Sequence, residues 1–402
     1  MKRTVSIGMV IFILALFSLW LVIYNGQHRA IFKKTYTFTE DGSKTFKHHP
    51  RFLFLYGLSA WFQNDPVTAA RFFRQAVLQD VLYIDAWIWL SQTELLLGHE
   101  DNARGILTFM QPLTENIYRW KWRQTLLAYD LGIAEMVVRN INFLLSHNKM
   151  TQDAFQLLDT HVSKNIAETI EALHKDNLRP LLEWLMSWGR VEDAEKVWNI
   201  MNTSVILEKD IFLKYIHFLI NNKRVNRAAE IWRTQTGIEG LTNAGFENDI
   251  TGRGFDWRYT PDNDDKWTIR RTTSISFAGE HSLKIVFEGK ENISFAHLYQ
   301  IARVDPLKTY RLTYSWRSRD ISTDQGPFID IYGYDCKGFY FKGPMIYGTN
   351  DWKEQDIEFT VPENCQSIVI RLRRQRSQRF DNKLAGTLWL DNFGLQELHS
   401  PI

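Results

Sequence analysis

The stretch Tyr310–Arg319, YRLTYSWRSR, decides the fold class of the C-terminal part of this chain. Its large apolar side chains, Tyr310, Leu312, Tyr314 and Trp316, occupy every second position, which is the period of a strand with one buried face. The same alternation recurs in Ile329 and Ile331; in Ile357 and Phe359; and in Ile368, Ile370 and Leu372. Short alternating strands separated by turns predict an antiparallel β-sandwich of jelly-roll type.

Eight short motifs in this region follow the order found in one family of modules. They are Leu241–Glu247, Phe255–Trp257, Gly279–Ile285, Tyr299–Ile301, Asp305–Tyr310, Asp351–Trp352, Phe359–Pro362 and Gly386–Asp391. With them, residues 240–399 resemble the carbohydrate-binding modules, galactose-binding-like sandwiches appended to xylanases and glucanases. The resemblance implies a domain that binds a polysaccharide, although relatives of this fold also serve as structural or protein-binding domains.

The resemblance also implies a metal. Modules of this family commonly hold a structural calcium ion between the first and last strands, and the matching acidic residues here are Glu247 and Asp391. Backbone carbonyls near Gly279–Ser282 are the expected neighbours, and hard oxygen ligands of this kind suit calcium. The alternative is that the two carboxylates only cap turns.

A ligand face is expected opposite the buried positions of the strands. If the strands share one sheet, it carries aromatic rings for stacking on sugars and guanidinium groups for binding carboxylates. The residues at those positions are Arg317, Arg319, Asp330, Tyr332, Tyr334, Arg371 and Arg373. We therefore predict an anionic polysaccharide that is bound without being cleaved. The alternative is a solvated face on which the arginines pair with Asp330 and nearby carboxylates.

Residues 48–237 show the three- and four-residue spacing of amphipathic helices. Within them a period of 34 residues relates Ala69 to Ala103 and Ala194 to Ala228. This is the tetratricopeptide period, and the region resembles tetratricopeptide-repeat proteins. The resemblance implies an α-solenoid of stacked helix pairs that binds a partner protein. Residues 117–178 fit no register of this repeat.

The N-terminus is predicted to anchor the chain. Residues 5–24, VSIGMVIFILALFSLWLVIY, carry no charge, and as a helix they would span the roughly 30 Å of a bilayer core. We predict cytoplasmic residues 1–4, a transmembrane helix over 5–24 and a linker over 25–47. The predicted location is the inner membrane, with a single pass and the bulk of the chain periplasmic. Basic residues on both sides of the span leave the charge rule itself ambiguous.

Composition excludes several classes of function. With 48 Lys and Arg against 46 Asp and Glu, the net charge of +2 argues against a nucleic-acid partner. The two cysteines, Cys336 and Cys365, exclude a four-thiolate metal site and leave open whether they form a bridge. No GxSxG, HExxH, GxxxxGK[ST] or strand-linked GxGxxG motif is present. We therefore predict a non-catalytic protein of envelope or exopolysaccharide assembly or export. The alternatives are a purely structural assembly factor without glycan binding and a glycan-acting enzyme.

Overall fold

The structure is a computed structural model, and it describes residues 48–202, 208–261 and 265–398. The chain divides into two compact units, residues 1–184 and 185–402. In the described ranges, twelve α-helices precede ten β-strands. The last helix ends at Thr236 and the first strand begins at Arg258, whereas the two compact units divide within the ninth helix.

The helices α1 to α12 follow one another with short connections. They are Pro50–Phe62, Pro66–Gln79, Ile84–Leu96, Glu100–Leu113, Tyr118–Asp130, Ala134–Ser146, Thr151–Leu157, Ile166–Ala172, Leu178–Ser187, Val191–Asn202, Lys209–Asn221 and Val225–Thr236. A π-helical turn, Leu158–Val162, extends α7, and a 3-10 turn, Lys175–Asn177, precedes α9. Both irregular turns lie inside residues 117–178, the stretch that fits no 34-residue register.

Local sequence sets the ends of several helices. Pro50 and Pro66 begin α1 and α2, where the missing proline N–H would have no helical partner. The Asp65 carboxylate accepts the Thr68 N–H at 3.0 Å, and hydrogen bonds from the side chain and backbone of Thr68 lower the pKa of Asp65. Gly237 ends α12 at a φ of 69°, a left-handed conformation that glycine adopts without strain.

The positions related by the 34-residue period lie in the helical core. Ala69, Ala103, Ala194 and Ala228 are fully buried. At Gly57 a Cβ would lie 2.5 Å from Cε1 of Phe73, so the glycine lets α1 and α2 approach closely. These small residues therefore lie where helices pack closely. The assignment of the helix pairs to a tetratricopeptide solenoid stays a prediction.

The predicted membrane location is corrected by the helices themselves. Among residues 48–202, 208–261 and 265–398, no helix combines the length and the apolar character that crossing a bilayer requires. The finding contradicts the predicted inner-membrane, periplasmic location, which we do not carry further. The predicted span, residues 5–24, lies outside the described residues.

The strands form two antiparallel five-stranded sheets, which confirms the predicted β-sandwich. Strands β1 to β10 are Arg258–Tyr259, Trp267–Thr272, Ser282–Glu288, Phe295–Arg303, Thr309–Ser322, Phe328–Gly333, Tyr340–Lys342, Gly348–Thr360, Ser367–Arg374 and Ala385–Leu398. The first sheet has the order β1-β4-β9-β6-β7, and the second has the order β2-β3-β10-β5-β8. The alternating apolar residues of both sheets face each other in one core.

A disulfide closes one end of the sandwich. Cys336, in the connection between β6 and β7, is bonded to Cys365, which lies just before β9. This settles the question that the sequence left open. The bridge joins two connections of the first sheet that are 29 residues apart in sequence.

Candidate functional site

The structure divides the predicted ligand face between the two sheets. Arg317 and Arg319 lie on β5 of the second sheet, whereas Asp330, Tyr332, Arg371 and Arg373 lie on β6 and β9 of the first. The prediction of a single face is wrong because strand alternation fixes which side of its own sheet a residue occupies, but not which sheet holds the strand. Tyr334 follows β6 directly and stays with the first group.

Two rows of side chains run across the outer surface of the first sheet. Directly paired residues of antiparallel strands project to the same side of a sheet, so the strand register places them in order. One row is Arg258, Tyr299, Arg371, Asp330 and Lys342. The next row is Ile301, Val369, Tyr332 and Tyr340. We call these two rows the first-sheet face.

A buried ion pair lies at the centre of the first-sheet face. The guanidinium of Arg371 donates to both carboxylate oxygens of Asp330, at 3.0 and 2.7 Å. Asp330 is 1% exposed, and the side chain of Arg371 is 20% exposed. Burial lowers the pKa of Arg371 and the bonds to Asp330 raise it, with a net rise. The pair fixes the arginine, and it gives both oxygens of the buried carboxylate a charge-assisted hydrogen bond.

Aromatic rings flank this ion pair. Arg371 lies over the ring of Tyr332, 4.4 Å from its centroid, and Tyr340 pairs with Tyr332 across the neighbouring strands. Tyr299 is half-buried, and Tyr340 is half-exposed. Burial raises the pKa values of Tyr332 and Tyr340, so both hydroxyls stay protonated as donors near neutral pH. The sequence analysis did not place Tyr299, Tyr340 and Lys342 on the ligand face, because the alternation of their strands was not assigned.

The last helix pair covers one end of the first-sheet face. The Tyr334 hydroxyl donates to the Ile220 carbonyl at 3.2 Å, and Lys223 Nζ lies 3.7 Å from the centroid of its ring. Nearby, Ile301 and Val369 are almost fully buried although they point away from the sandwich core. Tyr334 is therefore engaged with α11 and the turn after it, and the open part of the face begins at Tyr332.

Two further arginines of β9 differ sharply in environment. Arg373 is half-buried on the outer side of the sheet, and it forms no ion pair with the described part of the chain. Arg374 is fully buried, and its guanidinium contacts three loops through Gln325, Asn292 and Asn382. Its inward position follows the alternation of the apolar residues of β9, so the sequence already contained that signal.

The two predicted metal ligands lie on either side of one loop. Asp391 Oδ2 accepts the N–H groups of Phe277 and Ala278, at 2.8 and 3.2 Å. Glu247 Oε1 accepts the N–H groups of Glu280 and His281, at 3.0 and 3.2 Å.

The carboxylates of Asp391 and Glu247 both lie beside Gly245. A Cβ on Gly245 would lie 3.6 Å from Oδ1 of Asp391 and 3.9 Å from Oε1 of Glu247. Burial raises the pKa of Asp391, and the charge of Glu247 adds to the rise. Hydrogen bonding to His281 lowers the pKa of Glu247. Two neighbouring carboxylates, one of them buried, supply the hard oxygen ligands that calcium prefers.

A second group of potential metal ligands, one aspartate and two cysteines, does not fit a metal. In the described ranges, Asp335, Cys336 and Cys365 are the single group that brings three potential ligand side chains together. The two sulfurs are bonded to each other, which removes the thiolates that a metal would require. Asp335 instead accepts the N–H groups of Gln366 and Ser367, both at 3.2 Å.

Comparisons with known proteins concern the sandwich. No protein-family model and no curated protein matches the chain. Among solved structures it is similar to a family 16 carbohydrate-binding module, with 19% identity over 39% of this chain and 99% of that one and a TM-score of 0.28. It is also similar to a family 61 module in complex with β-1,4-galactotriose, with 19% identity over 39% of this chain and 97% of that one and a TM-score of 0.28. A third similar structure is the CBM22-1 xylan-binding domain from Paenibacillus barcinonensis Xyn10C, with 13% identity over 40% of this chain and 97% of that one and a TM-score of 0.29.

The C-terminal sandwich thus resembles carbohydrate-binding modules. At these TM-scores and identities the likeness carries no argument about what this chain binds. The sugars named belong to those proteins.

Proposed function

We propose that this protein is a non-catalytic polysaccharide-binding protein and that the first-sheet face is its binding surface. One observation carries the proposal: the strand register sets the rings of Tyr299, Tyr332 and Tyr340 around a fixed Arg371–Asp330 pair on an open face. Aromatic rings offer flat apolar surfaces to pyranose rings, and fixed polar groups beside them orient the sugar hydroxyls. This combination is typical of a binding surface for neutral sugars.

The charge of the face bears on the class of glycan. Asp330 neutralises Arg371, so the guanidinium is not free to take a ligand carboxylate. Arg258 donates to the Gly254 carbonyl at 2.9 Å. Arg373 and Lys342 remain as cations at the edge of the face, and Lys342 Nζ lies 4.2 Å from the centroid of the Phe328 ring. We therefore propose a polysaccharide whose main contacts are neutral, with any acidic group located near Arg373 and Lys342.

The absence of catalysis is part of the same proposal. Asp330 is the carboxylate at the centre of the face, and both of its oxygens accept hydrogen bonds from Arg371. Asp330 is also only 1% exposed, so its carboxylate is not accessible to a glycosidic bond of a glycan on the face. The protein would hold the glycan without cleaving it.

The helical region is proposed to bind a protein partner. It exposes large apolar side chains in α1 to α3 and the turns beside them: Phe62, Val67, Leu78, Leu82 and Leu96. We propose that these side chains form a contiguous apolar surface, which is typical of protein contacts. Together the two parts would bring a partner protein to a glycan, which suits a role in polysaccharide assembly or export. The alternative is a purely structural assembly factor, in which the sandwich also binds protein.

Glycan binding by the full chain separates these alternatives. We would titrate it with neutral xylan, β-glucan and galactan by calorimetry, and then repeat the best ligand with Tyr332→Ala and with Tyr340→Ala. We expect each variant to lose about tenfold in affinity, the scale of an aromatic contact at a binding surface. Tyr118→Ala is the matched control, because this tyrosine is similarly exposed but lies on α5. Binding that Tyr332→Ala and Tyr340→Ala leave intact would exclude the first-sheet face.

A further inference from the structure

The second sheet carries a row of cations on its own outer surface. The strand register aligns Arg270 with Lys284, Lys284 with Trp389, and Trp389 with Arg317. Arg319 lies two residues beyond Arg317 on the same side of β5. We call Arg270, Lys284, Arg317 and Arg319 the cationic row. It crosses four neighbouring strands and faces away from the sandwich core.

Most of the charge in the cationic row is uncompensated. Arg270, Lys284 and Arg319 form no ion pair with any described residue. Arg317 pairs with Asp351 at 2.9 Å, but Asp351 is 85% exposed, and such a pair exchanges readily with solvent or ligand. Elsewhere on the same strand, Arg311 is held by Glu358 and lies 4.0 Å from Asp356. The cationic row therefore differs from the rest of its sheet in charge balance.

A buried tryptophan restrains two members of the cationic row. Trp389 is 3% exposed, and Lys284 Nζ and the Arg319 guanidinium lie 5.7 and 5.8 Å from its ring centroid. Cation–π contacts at these distances restrain long side chains without neutralising them. The charges of Lys284 and Arg319 are thus held on the surface in advance of any ligand, which lowers the entropy that binding must overcome.

We propose that the cationic row is a second binding site, specific for a linear acidic polysaccharide that crosses the strands of the second sheet. Neighbouring strands lie about 4.8 Å apart, so the backbones at Lys284 and Arg317 are separated by about 10 Å and those at Arg270 and Arg317 by about 14 Å. A chain with regularly spaced carboxylate or sulfate groups can contact the guanidinium and ammonium groups in succession.

Other polyanions fit this surface less well. A single-stranded nucleic acid is typically held by exposed rings on which its bases stack, and the ring in this row lies beneath cations. An anionic bilayer would meet Glu354, Asp356 and Glu358, which β8 presents on the same outer side of the second sheet. Their charges repel an extended anionic surface, whereas a single polymer chain can pass beside them.

The test uses the full chain and a ligand whose charge alone is changed. We would measure binding to polygalacturonate and to the same polymer with methyl-esterified carboxyl groups. The triple variant R270Q, K284Q and R319Q removes the charges but keeps stems that cover Trp389. We expect it to lose about tenfold or more in affinity for polygalacturonate at low salt, as charge-assisted contacts are lost. Wild-type binding should also weaken as salt shortens the Debye length from about 10 Å towards 3 Å.

The control is Arg311→Gln, which removes one cation from the same strand and should leave binding within about twofold, because that guanidinium is already paired. If the triple variant is unfolded by circular dichroism, Lys284→Glu alone replaces it, and we expect the same direction of effect. Equal binding of the esterified polymer would overturn the proposal. So would binding that the charge variants leave unchanged, or equal charge-dependent binding of single-stranded DNA or phosphatidylserine vesicles.

This site is independent of the first-sheet face. Tyr332→Ala should leave the difference between polygalacturonate and its ester unchanged, and the triple variant should leave neutral glycan binding unchanged. Loss of one activity with retention of the other therefore shows which proposal has failed.

Discussion

Arg371→Ala tests the energetic role of the buried ion pair in the first-sheet face. The substitution leaves Asp330, which is 1% exposed, without the two hydrogen bonds that now satisfy its oxygens. Breaking a buried pair by removing one partner costs about 3–5 kcal/mol, because the remaining charge stays desolvated. Arg371 is itself 20% exposed, so water can enter the space it leaves, and we expect a loss at the lower end, about 3 kcal/mol.

The assay is urea unfolding of the full chain, followed by tryptophan fluorescence, with thermal unfolding as a second measure. A loss of about 3 kcal/mol corresponds to a fall in Tm of about 6–12 °C for a unit of this size. Arg311→Ala is the control: Arg311 pairs with Glu358, both are about half exposed, and we expect a change below about 1 kcal/mol. Equal losses in Arg371→Ala and Arg311→Ala would refute the reasoning. So would a loss in Arg371→Ala below about 1 kcal/mol.

Three further perturbations have expected outcomes. Gly254→Ala should destabilise the chain by about 2–4 kcal/mol, because its positive φ costs about 1 kcal/mol and a Cβ there, 2.3 Å from the Trp232 ring, adds a clash of about 1–3 kcal/mol. Gly252→Ala, at a similar φ with open space around it, should cost only about 1 kcal/mol, and urea unfolding of both variants measures the difference. Joint substitution of Cys336 and Cys365 by Ser should lower the free energy of unfolding by about 3–4 kcal/mol, the chain-entropy value for a loop of this length, and no change in urea midpoint would contradict that expectation. Finally, we propose that Glu247 and Asp391 hold a structural calcium ion. Added calcium should raise the Tm of the wild type, EDTA should reverse the rise, and Asp391→Asn should abolish both effects. A calcium response that survives Asp391→Asn would place the ion elsewhere.

Periodicity located the secondary structure because it reports a local property. The alternation at Ile368, Ile370 and Leu372 placed these side chains in the core, and they are fully buried. The same pattern continues to Arg374, whose burial was overlooked because an arginine in an inward position is rare. Small residues repeated at 34-residue intervals likewise identified packed helix faces. The stretch that fits no register contains two seven-residue helices and a π-helical turn, and these have no counterpart in a regular repeat.

The division of the candidate sites between two sheets could not be read from the sequence. Pairing of β9 with β4 and β6, and of β10 with β3 and β5, joins strands far apart in the chain. Arg317 and Arg371 show the same outward alternation, yet they lie on opposite sides of the sandwich. The face of Tyr299, Tyr332 and Tyr340 and the cationic row both depend on this pairing, and each became visible only in the folded chain.

A crystal structure of the full chain with a bound oligosaccharide, derived from the neutral polysaccharide that binds best, tests the central proposal most directly. We expect one sugar ring against Tyr332 and its neighbours Tyr299 and Tyr340, with hydroxyls within hydrogen-bond distance of Arg371. An oligosaccharide bound at another surface, with the first-sheet face unoccupied, would contradict the proposal.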